Sequence, residues 1–163
     1  MKQAQLAALK AAILSETDVD FVALRNSGAT GAMADFYNQV KTPNVKAWRI
    51  NVDPKDSDEA TPWVNFDTIT QAGKRDSYIH AFMRYPRDYS KASVRKWITD
   101  VWGNATVGSN AASILTDAGL RNITRAEAVL GGNTVTNTNS VSALKLDWEG
   151  VLSNDDVVKA INS

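Results

Sequence analysis

Apolar residues three and four positions apart recur along most of the chain, the spacing that turns one face of a helix toward a core. Leu6, Leu9 and Ile13 mark a helix over residues 3–14. Val19, Val22 and Ala23 mark a second, opened by a cap within Ser15-Glu16-Thr17-Asp18 and broken by Gly28. Met33, Phe36, Tyr37 and Val40 mark a third, capped by Thr30. Short helices joined by tight turns predict an N-terminal helical layer. Further on, Trp63, Phe66 and Ile69 predict a helix that begins near Pro62, a tolerated first-turn proline. Tyr78, Ile79, Phe82 and Met83 share one face of a helix over 74–84 that Pro86 stops. Val94, Trp97, Ile98, Val101 and Trp102 form the strongest stripe, in a helix capped by Ser90. The pattern returns in Val157, Val158 and Ile161, behind the cap Ser153-Asn154-Asp155-Asp156.

The longest stripe is Ala112, Leu115, Gly119, Ile123, Ala126 and Leu130, and it predicts one central helix from Ser109 to Gly131. Thr124 with Glu127 offers the rival reading of a capping box that opens a new helix. The stripe keeps its phase across Gly119, so a single helix is preferred. Elsewhere the period drops to two. Val45 to Val52 alternates and is rich in β-formers, an extended segment or edge strand, and Leu144-Lys145-Leu146-Asp147-Trp148 reads as a short strand to partner it. Asp53 to Glu59 reads as a polar loop, and the Thr/Asn/Ser tract at 133–142 as a flexible loop or arm. With no repeat and no long linker, the prediction is mainly α. It is a single-domain helical bundle over 1–163, of about seven helices, with a minor short β element near 45–52 and 143–148.

Composition changes this picture little. A chain of 163 residues can bury a sizeable core, and 44% hydrophobic with 22% charged residues is ordinary globular usage. A formal net charge of zero supplies no overall field toward nucleic acid or acidic membrane. The absence of cysteine removes disulfides, thiolate catalysis and zinc–sulfur sites. The first residues lack the apolar run of a secretory signal, and no run approaches the roughly 20 apolar residues of a membrane span. A chain kept in the cytosol, unless an assembly carries it elsewhere, is the expectation.

The search for chemistry yields little. His80 is the only histidine, and Asp76, Ser77 and Asp88 around it form no nucleophile elbow. Asp53, Asp56, Asp58 and Glu59 lack the spacing and central glycine of a calcium loop. Gly73-Lys74 lacks the upstream glycine of a phosphate-binding loop, and Arg75 stands where a serine or threonine would meet magnesium. No catalytic residue, cofactor or metal is therefore expected, and the chain is not read as an enzyme.

One local bias remains. Residues 74–96 carry a net charge of +5, with two tyrosines on the turn between two helices. Lys74, Arg75, Arg84, Tyr85, Arg87, Tyr89, Lys91, Arg95 and Lys96 make a candidate interaction surface for phosphates or an acidic protein face. The alternative is that the polar faces of two amphipathic helices are simply rich in lysine and arginine. Of the five tryptophans most belong in a core, while Trp48 and Trp148, on proposed strands, are candidates for an exposed edge and an interface.

Several stretches resemble small helical proteins encoded among the virion genes of tailed bacteriophages. They are Leu6 to Leu14, Pro43 with Val45-Lys46-Ala47-Trp48-Arg49, and Ser90-Lys91-Ala92-Ser93-Val94-Arg95 running to Val101-Trp102. Thr124-Arg125-Ala126-Glu127, the Gly/Thr/Asn tract after it and Trp148-Glu149-Gly150 complete the set. The resemblance implies a virion structural protein of head-completion or head–tail connector type, present in the host cytoplasm before assembly. Its implied partners are portal, capsid or tail components, a homo-oligomeric ring and DNA, with no membrane. A phage protein that blocks a host factor through the 74–96 surface is the alternative.

Overall fold

The computed structural model describes residues 1–82, 84–103, 109–131 and 146–163, Phe82 by its backbone alone. The protein is mainly helical with a minor β element. In chain order the helices are α1 (Gln3–Ser15), α2 (Val19–Ser27), α3 (Thr30–Asn38), α4 (Pro54–Glu59), α5 (Ala72–Phe82) and α6 (Ala92–Trp102). They continue as α7 (Asn110–Asp117), α8 (Arg125–Leu130) and α9 (Asn154–Ile161), with a 3₁₀ helix at Trp63–Thr68 and strands β1 (Lys46–Trp48) and β2 (Leu120–Asn122). The described residues fall into two compact units that interleave along the sequence, 1–45, 122–131 and 146–163 in one, 46–121 in the other.

The first unit is built from α1, α2, α3, α8 and α9. Asp18 starts α2 by accepting hydrogen bonds from the amides of Asp20 and Phe21 at 3.1 and 3.2 Å. Gly28 ends it at φ +71°, a left-handed turn that a side chain would resist. Arg25 reaches back and donates to the carbonyls of Ile13 and Leu14, both at 2.9 Å, closing the C-terminal end of α1. Leu9, Ile13, Phe21, Met33, Phe36, Tyr37, Leu130 and Val157 fill the core. The Phe21 ring lies 4.7 Å from Phe36 and 5.3 Å from Tyr37. Asn38 clamps the segment before α9, donating to Leu152 O at 2.9 Å and accepting from Leu152 N at 2.8 Å.

In the second unit an aliphatic core surrounds several large aromatic side chains. Trp48, Tyr78 and Tyr89 are each buried, among Ile98, Val101, Ile114, Leu115 and Leu120. Trp97 stacks on Tyr78 at 5.7 Å and 10°, and Trp102 meets the same ring edge-on at 5.4 Å. The extended stretch over 45–52 is present as expected, but its neighbours differ. Val45 O accepts from Ile123 N and Arg49 N donates to Gly119 O, so β1 and β2 run antiparallel. Beyond β1, Tyr89 N donates to Arg49 O, and Val52 and Arg87 exchange two bonds of 2.9 Å. The expected partner at 143–148 is not the strand found: residues 143–145 lie outside the described residues, and Leu146 to Trp148 is not a strand. The loop or arm expected at 133–142 also lies outside them.

The single helix expected from Ser109 to Gly131 is corrected to α7, β2 and α8. At Gly119 a Cβ would stand 2.4 Å from the Tyr89 ring and 2.5 Å from Leu115 O, so the turn packs directly against an aromatic side chain. Leu120 to Asn122 is then drawn into the strand pair. Thr124 and Glu127 form the capping box that opens α8, with Glu127 N on Thr124 Oγ1 at 3.1 Å and Thr124 N on Glu127 Oε2 at 3.0 Å. Three separate elements happened to keep one stripe in phase. Smaller corrections follow the same local chemistry. Residues 54–59 form α4 because Asp53 caps it, Lys55 N to Asp53 Oδ1 at 2.9 Å, and Pro54 suits its first turn. Trp63 to Thr68 is 3₁₀ rather than α. Lys91, not Ser90, is the N-cap residue of α6, and it supplies no side-chain bond.

Candidate functional site

The basic stretch runs through α5, the turn after it and α6. Its residues separate into four groups by what their polar atoms touch. Tyr89 is not on a surface at all: it is 0% exposed, and its hydroxyl lies 3.1 Å from Ser57 Oγ. Burial pushes its pKa well above the ordinary tyrosine range, against a smaller opposing effect of the Ser57 hydrogen bond.

Three cations, Arg95, Arg87 and Lys74, bind main-chain carbonyls of the unit, while Arg75 makes only an exposed ion pair among the described residues. Arg95 donates from Nη1 to the carbonyls of Tyr89 and Ser90, both at 2.7 Å, and its guanidinium lies 4.6 Å from the centre of the Trp48 ring. Arg87 donates from Nε to Ala81 O at 2.9 Å, at the C-terminal end of α5 where a cation is favoured. Lys74 donates to Asp100 O at 2.5 Å, and Arg75 stands 3.5 Å from Asp67. Lys96 pairs with Asp100 at 2.6 Å on the solvent side of α6, and Lys91 approaches Asp88 only to 4.0 Å. Exposed pairs of this kind contribute little, roughly 0–1 kcal/mol, so both lysines stay accessible to a partner.

Arg84 and Tyr85 are the outward pair. Arg84 is exposed and has no ion pair among the described residues, and Tyr85 is 64% exposed on the same turn. That turn joins Ala81 to Arg87, and these two residues with Ser93, Val94 and Trp97 line a groove of about 270 Å³ between α5 and α6. Val94 and Trp97 belong to the stripe expected in the core, yet both are only half-buried. Partial exposure on an apolar stripe leaves no mark in sequence, so the groove was not foreseen.

The remaining candidates disperse. His80 is exposed in the last turn of α5. Asp56 pairs with Arg49, Glu59 stands 3.6 Å from Lys55, and Asp58 accepts the indole N–H of Trp63 at 2.9 Å. Among the described residues no three of His, Asp and Glu converge as a metal site would require. Trp48, an expected edge residue, is instead 1% exposed, and Trp148 is half-buried against the core of the first unit. No protein-family model, curated protein or solved structure matches the chain.

Proposed function

We propose that the protein is a structural component of a tailed-phage virion, acting in head completion or head–tail joining through contacts with other virion proteins. Its resemblance to proteins of such gene clusters supplies the biological setting. The structural observation that supports a contact role is the turn at Arg84 and Tyr85. A tyrosine left 64% in water beside an apolar groove, with an accessible arginine next to it, has the composition enriched at protein interfaces. Most other cations of the stretch are engaged within the chain. The surface therefore suits docking to a protein more than tracking a run of phosphates.

Mass spectrometry of particles purified from the phage that encodes the chain tests the reading. The protein is expected in several copies per particle. Its absence from particles, together with its recovery on a host protein from infected cells, would replace the virion role with that of a host-factor inhibitor.

A further inference from the structure

The groove between α5 and α6 has walls of Ala81, Val94 and Trp97, with Arg87 and Ser93 as its polar members. Its volume of about 270 Å³ falls just below the roughly 300–1,000 Å³ of pockets that enclose a small ligand, and suits one bulky side chain entering from outside. The lining atoms are mostly apolar, so the entering group is apolar too.

The surroundings are electropositive. Arg87 stands in the wall with its guanidinium oriented by Ala81 O. Arg84 lies on the turn beside it, exposed, and Lys91 stands at the start of α6. The N-terminal turn of α6, which holds Ser93 and Val94, has no side-chain cap. The nearby acid is Asp88, which stands 4.0 Å from Lys91 and offsets one of the three cations, leaving the rim positive. An apolar slot with a basic rim is complementary to an apolar side chain flanked by carboxylates.

We infer that this groove docks an acidic segment of a partner protein, with one bulky apolar residue seated between Val94, Trp97 and Ala81 and its neighbouring carboxylates on Arg84 and Lys91. Nucleic acid fits less well. Lys74, Arg87 and Arg95 are engaged with main-chain carbonyls, and one face of the Trp97 ring is covered by Tyr78. The inference deepens the contact reading by giving one surface its partner chemistry. It fails separately, since the particle inventory does not depend on this groove.

The test is an amide chemical-shift titration of the full chain with a short Asp/Glu/Gly peptide carrying one central leucine. Shifts are expected at Ala81, Ser93, Val94 and the Trp97 indole. Replacing the leucine by serine is expected to weaken binding by about tenfold or more, since seating such a side chain is worth at least a decade of affinity. Raising salt weakens it further. Ser93→Tyr, at an exposed position, plugs the mouth and abolishes the shifts. Should that variant fold poorly, Arg84→Glu with Lys91→Glu reverses the rim without touching the groove and gives the same loss. Equal binding of the leucine and serine peptides, no shift at millimolar peptide, or stronger binding of a DNA duplex at these residues would each overturn the inference.

Discussion

The two units solve the same packing problem with different side chains. The first fills its core mainly with aliphatic residues around the trio Phe21, Phe36 and Tyr37. Its polar bonds sit at helix ends, through Asp18, Arg25, Thr124 and Ser153. The second has no fewer aliphatics, but packs Phe66, Trp97 and Trp102 around its buried Trp48, Tyr78 and Tyr89 and carries hydroxyls into its interior. Thr61 donates to Ser57 O at 2.7 Å and lies 2.7 Å from the Tyr78 hydroxyl, while Ser57 meets the hydroxyl of Tyr89. In the first unit the buried Glu127 accepts from main-chain amides, whereas the second pairs side-chain hydroxyls with one another at low dielectric, where an unmade bond is costly.

Alkaline pH separates the two most widely. Burial raises Tyr37 and Tyr78 from the ordinary value of 10.0 to about 12, and raises Tyr89 further. A raised folded value means the native state holds its proton while the unfolded chain releases it. The associated stability is complete below pH 10.0 and falls as the pH climbs through about 12. The second unit holds two such groups and the first one, so the second is expected to lose stability more steeply. Four of the five tryptophans, Trp48, Trp63, Trp97 and Trp102, report on it. Their fluorescence should change before helical circular dichroism is lost; simultaneous loss would erase the distinction.

Gly119 and Gly131 probe rigidity. A methyl group at Gly119 meets the Tyr89 ring at 2.4 Å, a ring held by burial and by Ser57. At Gly131 the comparable side-chain contact is Leu146 Cδ2 at 2.8 Å, the end of a flexible chain. Both also meet a carbonyl, at 2.5 and 2.6 Å, so the difference lies in the side chains. Gly119→Ala is expected to cost about 2–3 kcal/mol and Gly131→Ala about 1, measured by urea denaturation.

What was legible in the sequence follows from how local each signal is. Asp18 and Gly28 bounded α2 because caps act within one turn. The stripe over Val94 to Trp102 gave α6 because five large residues fix one helical phase. The central helix was misread because small or apolar residues at Gly119, Ile123 and Ala126 kept a helical period across a turn, a strand and a cap. The tyrosine packed on Gly119 and the pairing of β2 with β1 decide against it, and the first contact spans about 30 positions of sequence. The two units leave no trace in composition because their segments interleave. In the basic stretch the charges were legible, but their engagement was not. Nothing local tells that Arg95 serves two carbonyls and a buried indole while Arg84 faces water.

Removing one oxygen tests the role of internal hydrogen bonds directly. Tyr89→Phe deprives buried Ser57 of its tyrosine partner and is expected to cost about 1–2 kcal/mol. Tyr37 is as deeply buried, at 2% exposure, but its hydroxyl has no hydrogen-bond partner among the described residues. Tyr37→Phe is therefore expected to stay within about 0.5 kcal/mol of the parent, or to gain slightly. Equal costs in thermal melts would mean that the aromatic volumes, not the hydroxyls, set both interiors.

The smallest effect concerns Arg95 and Arg84, which carry the same charge in the same basic stretch. Arg95 is structural: one guanidinium nitrogen serves two carbonyls while its plane lies over Trp48, a geometry that a lysine ammonium does not reproduce. Desolvation lowers its pKa, and the charge of Asp88 partly restores it. Arg95→Lys keeps the charge and is expected to cost about 1 kcal/mol through the lost ring contact and weakened carbonyl bonds. Arg84→Lys is expected to stay within about 0.5 kcal/mol, because the exposed side chain has no ion pair to lose. Denaturation curves for the two variants therefore sort the basic residues into those that build the unit and those left for a partner. If Arg95→Lys is as silent as Arg84→Lys, the whole stretch becomes available for binding and the case for a protein partner over DNA weakens with it.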